Sequence, residues 1–226
     1  MPRLIMIEGP RSGDSFPLGT ENLFARELGF DDSIPRLLQA IDRQRVCCLD
    51  VGVVEGQPFL LMTSMGFDAG VVHRLASRRV RSITHLSYLP PILNQLLRWR
   101  PSRLTVRVEN EVVVDDQPGF VVVANSPQYA VRLNPARDAS MTDGVLDVVF
   151  FPCRSSLAML RWMLACRLGR HVRDPRLVYR KGKRISLRSA TPRPYQLDGD
   201  LPDDRSAVSE LHFTLQPGVL PVLDPL

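Results

Sequence analysis

Apolar and polar residues alternate strictly through Leu104-Thr105-Val106-Arg107-Val108, which predicts a strand with Leu104, Val106 and Val108 on its buried face. Two β-rich segments, Val46 to Val53 and Pro58 to Ser64, flank a turn at Glu55-Gly56 and read as a hairpin. A second hairpin is expected from Val112 to Val114 and Phe120 to Ala124, separated by Asp116-Gln117-Pro118-Gly119, whose proline and glycine suit a turn. Leu146 to Phe151 reads as a buried strand. Toward the carboxy terminus the pattern is short strands throughout: Leu177 to Tyr179, Arg184 to Arg188, Tyr195 to Leu197, Leu211 to Leu215 and Leu220 to Leu223.

Helical patterns occupy Glu21 to Leu28 and Ser33 to Ile41, the second with Ser33 as a start signal and Pro35 just inside. Two more are expected at Ala69 to Leu75 and at Ile83 to Leu97, the latter interrupted by Pro90-Pro91, which lack the amide hydrogens of an interior turn. Ser155 to Leu168 reads as an amphipathic helix with Leu157, Leu160, Met163 and Leu164 on one face and Arg161 and Arg167 off it. The elements together predict a β-rich α+β fold in which the carboxy-terminal strands build a β-sandwich more readily than a parallel sheet. The first fifty residues read as the end of an α/β unit.

At 226 residues, 44% hydrophobic and 23% charged, the chain is long enough to bury a substantial core and ordinary for a globular protein. Its apolar runs fall far short of the roughly 18 residues that cross a bilayer. The amino terminus has only four consecutive apolar residues, too few for a secretory signal, so a cytoplasmic address is expected. Cys47, Cys48, Cys153 and Cys166 lack the paired spacing of zinc or redox motifs and are expected to be reduced packing residues. The net charge of +5 comes largely from arginine, clustered at Arg78-Arg79-Val80-Arg81, Arg98-Trp99-Arg100 and Arg180-Lys181-Gly182-Lys183-Arg184. Such a surface suits anionic partners, whether nucleic acid, nucleotide phosphate or acidic lipid headgroups.

There is no phosphate loop, no dinucleotide fingerprint and no pair of histidines at helical spacing. The four histidines are isolated, so no metal hydrolase is indicated. Three polar constellations remain. Gly19-Thr20, at the mouth of a helix, offers amides and a hydroxyl to an anion, or is an ordinary helix cap. Asn125-Ser126 is followed by Ala139 to Asp147, in which Asp143-Gly144 is a tight turn or, with loop carbonyls, a seat for a hard cation. Leu197-Asp198-Gly199-Asp200 ends an apolar strand in two carboxylates, which make a good loop or supply a base for phosphoryl transfer.

Read in order, Gly-Thr-Glu-Asn-Leu-Phe-Ala-Arg-Glu-Leu-Gly from Gly19, Met65-Gly66-Phe67-Asp68-Ala69-Gly70, Asn125-Ser126, Asp143-Gly144-Val145-Leu146-Asp147 and Leu197-Asp198-Gly199-Asp200 resemble the bacterial diacylglycerol and sphingosine kinase-like lipid kinases of the NAD kinase-like superfamily. The resemblance covers nearly all of Pro17 to Leu226. It implies a carboxy-terminal β-sandwich at 45–218, with 1–44 a short remnant of an α/β nucleotide-binding lobe and 219–226 a last strand returning toward that lobe. It also implies ATP-dependent phosphorylation of a lipid hydroxyl, diacylglycerol or a similar alcohol, using ATP and Mg²⁺. Thr20 then matches a nucleotide contact. Asp200 matches the proton acceptor, more often glutamate in the family. Asp143 matches a carboxylate at a structural magnesium site to which Ser140 and Val145 contribute, where some bacterial relatives have lysine and tyrosine.

One departure stands out. The family's Gly-Gly-Asp-Gly-Thr phosphate segment should precede the Gly-Thr motif by some tens of residues, and Met1 lies only nineteen residues before Thr20. The ATP site is therefore expected to be incomplete. Either the coding region starts further upstream, or the chain is a fragment without kinase activity, or another chain supplies the missing lobe. The alternative function is a non-catalytic module whose basic rim, Arg78, Arg79, Arg81 and the run from Arg180 to Arg184, binds anionic lipid or a partner protein. The expected partner is a lipid substrate at a membrane surface, with a peripheral place at the inner membrane and a homodimer left open. Nucleic acid is not expected, because few exposed-looking aromatics interleave the basic residues.

Overall fold

The computed structural model describes residues 23–30, 34–66, 101–129, 132–202 and 207–224. In chain order these form α1 (Leu23–Glu27), α2 (Ile34–Arg43), β1 (Val46–Val54), β2 (Gln57–Phe59), β3 (Met62–Met65), β4 (Ser102–Val108), β5 (Glu111–Ala124), β6 (Leu146–Pro152), α3 (Ser156–Arg167), a 3-10 turn (His171–Arg173), β7 (Val178–Gly182), β8 (Arg184–Leu197) and β9 (Ala207–Leu223). The helices expected at Ala69 to Leu75 and Ile83 to Leu97 lie outside the described residues, as do Thr20 and the arginines at 78–81 and 98–100.

All pairings are antiparallel, in the order β2-β1-β9-β8-β3-β5-β6-β7, with β4 bonded to both β5 and β8. The long strands β5 and β8 each serve two neighbourhoods. Their first halves flank β4 and their second halves flank β3. Strand residues therefore divide between two cores by simple alternation. Leu146, Val148 and Phe150 of β6 join Val106, Leu187, Tyr195, Leu211 and Phe213 in a core enclosed by the strands. Val149 and Phe151 point the other way, to a second core that Met159, Trp162 and Cys166 of α3 cover with Phe24 of α1. With both faces covered, β6 is apolar almost throughout, as its sequence suggested.

The β-rich α+β expectation holds, and Leu104, Val106 and Val108 are buried as their alternation requires. The first hairpin forms between β1 and β2, with Glu55 and Gly56 both at positive φ. Its return strand breaks at Leu60-Leu61, where the chain leaves β1 and enters the ladder of β5 and β8 as β3.

Two expectations fail. Asp116 to Gly119 is not a hairpin turn but the middle of the 14-residue β5. There Asp116, at φ 42°, forms a bulge held by the Arg103 guanidinium at 2.8 Å, while Pro118 and Gly119 pair with Arg103 and Ser102. The turn is instead at Glu109-Asn110, between β4 and β5. The buried face of α3 is also not the leucine face. Met159, Trp162 and Cys166 are inside, with the indole N–H donating to the Pro152 carbonyl at 2.9 Å, and Leu157, Leu160 and Leu164 face outward. The indole and Met159 outweigh the leucines because only their face meets the aromatic ring of Phe151, whose centroid is 5.4 Å from that of Trp162.

Candidate functional site

The chain reverses after β8 in a two-residue turn, Asp198-Gly199, with φ of 50° and 91°. Positive φ at both central residues is the signature of the tight hairpin turn whose twist matches its flanking strands. Leu197 and Asp200 exchange both backbone bonds across it, at 3.0 and 2.7 Å. Gly199 has no side chain to strain there, and its N–H donates to the buried Gln196 amide oxygen at 2.7 Å. Asp198 is held in its left-handed conformation from outside the turn. Its Oδ2 accepts the N–H of Leu60 at 2.6 Å, and its Oδ1 accepts those of Leu61 and Met62 at 2.8 Å each. Burial pushes the Asp198 carboxyl above its ordinary value, and the three N–H groups oppose that shift by favouring the charged form.

Both oxygens of Asp198 are thus committed to the backbone of residues 60–62. Asp200, two positions on, is exposed. One carboxylate fixes the turn and the other is displayed by it.

The same kink at Leu60-Leu61 is gripped from a second side. Asn125, fully buried at the end of β5, donates its amide nitrogen to the carbonyls of Asp50 and Leu60 at 2.9 Å each. The backbone N–H groups of Asn125 and Ser126 both donate to the Leu61 carbonyl. Asp50, itself buried within β1, accepts the N–H of Gly144 at 2.7 Å on one oxygen and that of Gly218 at 2.8 Å on the other. A continuous hydrogen-bonded path therefore runs from Asp198 through residues 60–62, Asn125 and Asp50 to Gly144. Three motifs separate in sequence become one frame.

At the far end of that frame lies the 139–145 loop. Asp143 Oδ1 accepts the Val145 N–H at 3.2 Å, and its Oδ2 is 3.0 Å from the Lys181 ammonium. The Ser140 hydroxyl is 3.2 Å from that of Thr142. Lys181 also donates to the Asp138 carbonyl at 2.7 Å and stands 3.4 Å from Asp147, a carboxylate with no exposed surface that is hydrogen-bonded by the Tyr179 hydroxyl. Desolvation raises the Asp147 carboxyl, with Tyr179 and Lys181 opposing. Burial works against the Lys181 ammonium, but Asp143 and Asp147 outweigh it and raise its value.

A side-chain cation thus sits against the carboxylate that a structural magnesium would use. Ser140, Asp143 and Val145 are together in one loop, yet a divalent ion there would have to displace Lys181 or be repelled by it across about one ligand's width. Among the described residues no group of three His, Cys, Asp or Glu side chains is arranged to hold a metal. Lys181 therefore competes with any divalent ion for the Asp143 carboxylate.

The order and geometry of these elements can be set against known proteins. Residues 62–224 match the model of the YegS C-terminal NAD kinase beta sandwich-like domain. The chain belongs to this family. Among curated bacterial relatives, it is 26% identical over 190 residues to the diacylglycerol kinase of Bacillus subtilis, an alignment covering 81% of this chain and 61% of that one. It is 23% identical over 185 residues to the diacylglycerol kinase of Staphylococcus haemolyticus, covering 81% and 56%. The crystal structure of a diacylglycerol kinase from Bacillus anthracis shares the fold, with a TM-score of 0.62 at 16% identity over 92% of this chain and 65% of that one. The chain spans about three-fifths of the length of these diacylglycerol kinases.

In this diacylglycerol kinase-like chain, two residues of the frame went unread in the sequence. Asp50 is one, and its signal was a lone carboxylate in the otherwise apolar run Val46 to Val54. Lys181 is the other, because a basic run reads as a solvated face. Lys181 is instead turned onto Asp143 and Asp147, and Arg184 at the end of the run pairs with Glu109 at 3.1 Å. Among the cysteines, Cys153 and Cys166 are buried as expected, whereas Cys48 is exposed on β1. No helix among the described residues is long and apolar enough to cross a membrane.

Proposed function

We propose that the chain acts in ATP-dependent phosphorylation of a lipid hydroxyl, with diacylglycerol or a related long-chain alcohol as acceptor and Asp200 as the base. The observation that carries this reading is the division of labour between the two carboxylates of the β8 turn. A base must reach the acceptor hydroxyl with a free oxygen. Asp198 has both oxygens bonded to backbone N–H groups. Asp200 is exposed and closes a turn held by the bonds of Asp198, Gln196 and Gly199.

In the proposed step the lipid hydroxyl oxygen attacks the γ-phosphorus of magnesium–ATP, which is the substrate. A new P–O bond forms, the bond to the bridging β–γ oxygen breaks, ADP leaves, and the hydroxyl proton passes to Asp200. Phosphoryl transfer asks a protein mainly for positioning and charge stabilisation. The buried frame behind Asp200 supports the first of these. Thr20 is assigned to the nucleotide edge, and the transfer draws on a nucleotide site that the described residues do not include. No step is assigned to a metal at Ser140, Asp143 and Val145. The division into a nucleotide-lobe segment at 1–44 and a sandwich at 45–218 is part of the same proposal. Within it, Leu220–Leu223 pairs with Val46–Leu49, and so joins the end of the chain to the start of the sandwich. The working location is the cytoplasmic side of a membrane that presents the acceptor.

Asp200→Asn tests the assignment, because it removes the base while keeping size and fold. Loss of phosphoryl transfer with an unchanged melting temperature supports it, and retained turnover removes Asp200 from the mechanism.

A further inference from the structure

The outer face of α3 carries an apolar stripe that the described residues leave exposed. Met159, Trp162 and Cys166 fix the inner face to the sheet. Directly opposite, Leu157, Leu160, Leu164 and Leu168 are between 48% and 59% exposed. Their spacing of three, four and four residues aligns them in one row, about 16 Å long at the helical rise. Val172, in the 3-10 turn that follows, is 40% exposed as well. Single exposed leucines are unremarkable, but a contiguous row on a rigid helix is a contact surface.

Charge says what kind of contact. On the helix, Arg161 and Arg167 lie on the two sides of the leucine row, and Arg154 and Arg170 lie at its two ends, all four exposed. From Arg154 through Arg173 the sequence contains no acidic residue. The next, Asp174, is already paired with Arg176 at 2.6 Å. An apolar row with an arginine rim is the pattern of a helix lying in a membrane interface, its leucines among the acyl chains and its guanidinium groups at the headgroup phosphates. It fits a second copy of the chain poorly. A two-fold contact would place the same rim against itself, arginine facing arginine, with no carboxylate to separate them.

We infer that α3 is the membrane-docking surface of the protein, binding anionic bilayers through Leu157, Leu160, Leu164 and Leu168 and the arginines around them. The helix is already folded and clamped from behind, so docking requires no rearrangement. The surface is distinct from the Arg180 to Arg184 run, whose Lys181 and Arg184 are occupied by carboxylates of the same chain. Docking requires neither ATP nor diacylglycerol, so it stands or falls separately from the kinase reading.

The test is co-sedimentation of the whole protein, without nucleotide, with extruded vesicles of phosphatidylcholine alone or with about 30% phosphatidylglycerol. Binding at least tenfold stronger to the anionic vesicles is expected, weakening as salt is raised. Leu160→Gln with Leu164→Gln, both at exposed positions, should lower that binding about tenfold or more without shifting the melting temperature. Arg161→Glu with Arg167→Glu should lower it similarly. Arg180→Glu with Lys183→Glu should leave it within about twofold. Wild-type protein that ignores anionic vesicles, or leucine variants that bind as well as wild type, would overturn the inference. So would a concentration-dependent dimer in light scattering that the leucine variants abolish, which would assign the face to a second copy.

Discussion

The carboxylate of Asp198 accepts the backbone N–H of Leu61 at 2.8 Å, a bond between residues 137 positions apart that ties the turn of β8 to the kink entering β3. Leu60 and Met62 donate to the same side chain. Asp198→Ala leaves three N–H groups without their acceptor, and losses of at least about 1 kcal/mol for each bond to a charged partner imply destabilisation of about 3 kcal/mol or more. Asp200→Ala, at an exposed position, should stay within about 0.5 kcal/mol of wild type. Urea denaturation of both variants measures the contrast. Equal stabilities would mean that Asp198 does not hold the frame.

Lys181 gives a second prediction. Lys181→Met leaves Asp147 buried opposite only the Tyr179 hydroxyl, at a cost of about 1–2 kcal/mol, below the range for a fully buried pair because Lys181 is exposed to solvent. Adding Asp147→Asn should recover much of that loss in a double-mutant cycle. Because the ammonium serves as the cation of this loop, thermal stability should be unchanged by EDTA or by millimolar magnesium. A melting temperature raised several degrees by magnesium would show that the ion displaces Lys181 after all.

The thiols should separate by environment. Burial pushes Cys153 and Cys166 up to about 12, and it also raises Cys47, with Asp224 adding to the shift. Since the thiolate is the reactive form, native protein at pH 8 should lose one thiol, Cys48, rapidly to a maleimide or disulfide reagent. The two buried thiols should react only after unfolding. Mass mapping of the label decides the matter, and rapid modification of Cys166 would show that α3 detaches from the sheet.

His171 carries a pH dependence. Its ring is buried beside Phe151, with Nε2 2.9 Å from the Pro135 carbonyl, and burial lowers its affinity for a proton. The unfolded chain therefore binds a proton at this site, near pH 6.5, before the folded protein does. Its contribution to stability is complete above about pH 6.5 and is lost as pH falls through the depressed folded value. Proton NMR should show the His171 ring staying neutral below about pH 6.5. A normal titration of His171 would contradict the burial seen here.

Alternation made β4 legible and a continuous apolar run made β6 legible, since Leu104, Val106 and Val108 and the run from Leu146 have no other use for their patterns. Strand lengths were not legible. Arg184 to Arg188 and Tyr195 to Leu197 are one strand, as are Leu211 to Leu215 and Leu220 to Leu223, because prolines and glycines that would end a short strand sit at register shifts in long ones. Helix α3 was placed correctly but turned the wrong way. Its residues are apolar on nearly every side, so periodicity could not tell the face that meets Phe151 from the face that meets none of the sheet. The site motifs were visible as Asn125, Asp143-Gly144 and Asp198-Gly199-Asp200. What joins them, Asp50 with its bonds to Gly144 and Gly218, depends on contacts spanning more than ninety residues that no local pattern encodes.

The assignment of Asp200 as the base is tested most directly by transfer of labelled phosphate from magnesium–ATP to diacylglycerol in mixed vesicles, comparing the protein with its Asp200→Asn variant. Labelled phosphatidic acid from the wild-type protein, falling by about 10²- to 10⁴-fold in the variant at equal stability, is the expected result. Transfer by Asp200→Asn at the wild-type rate would contradict it.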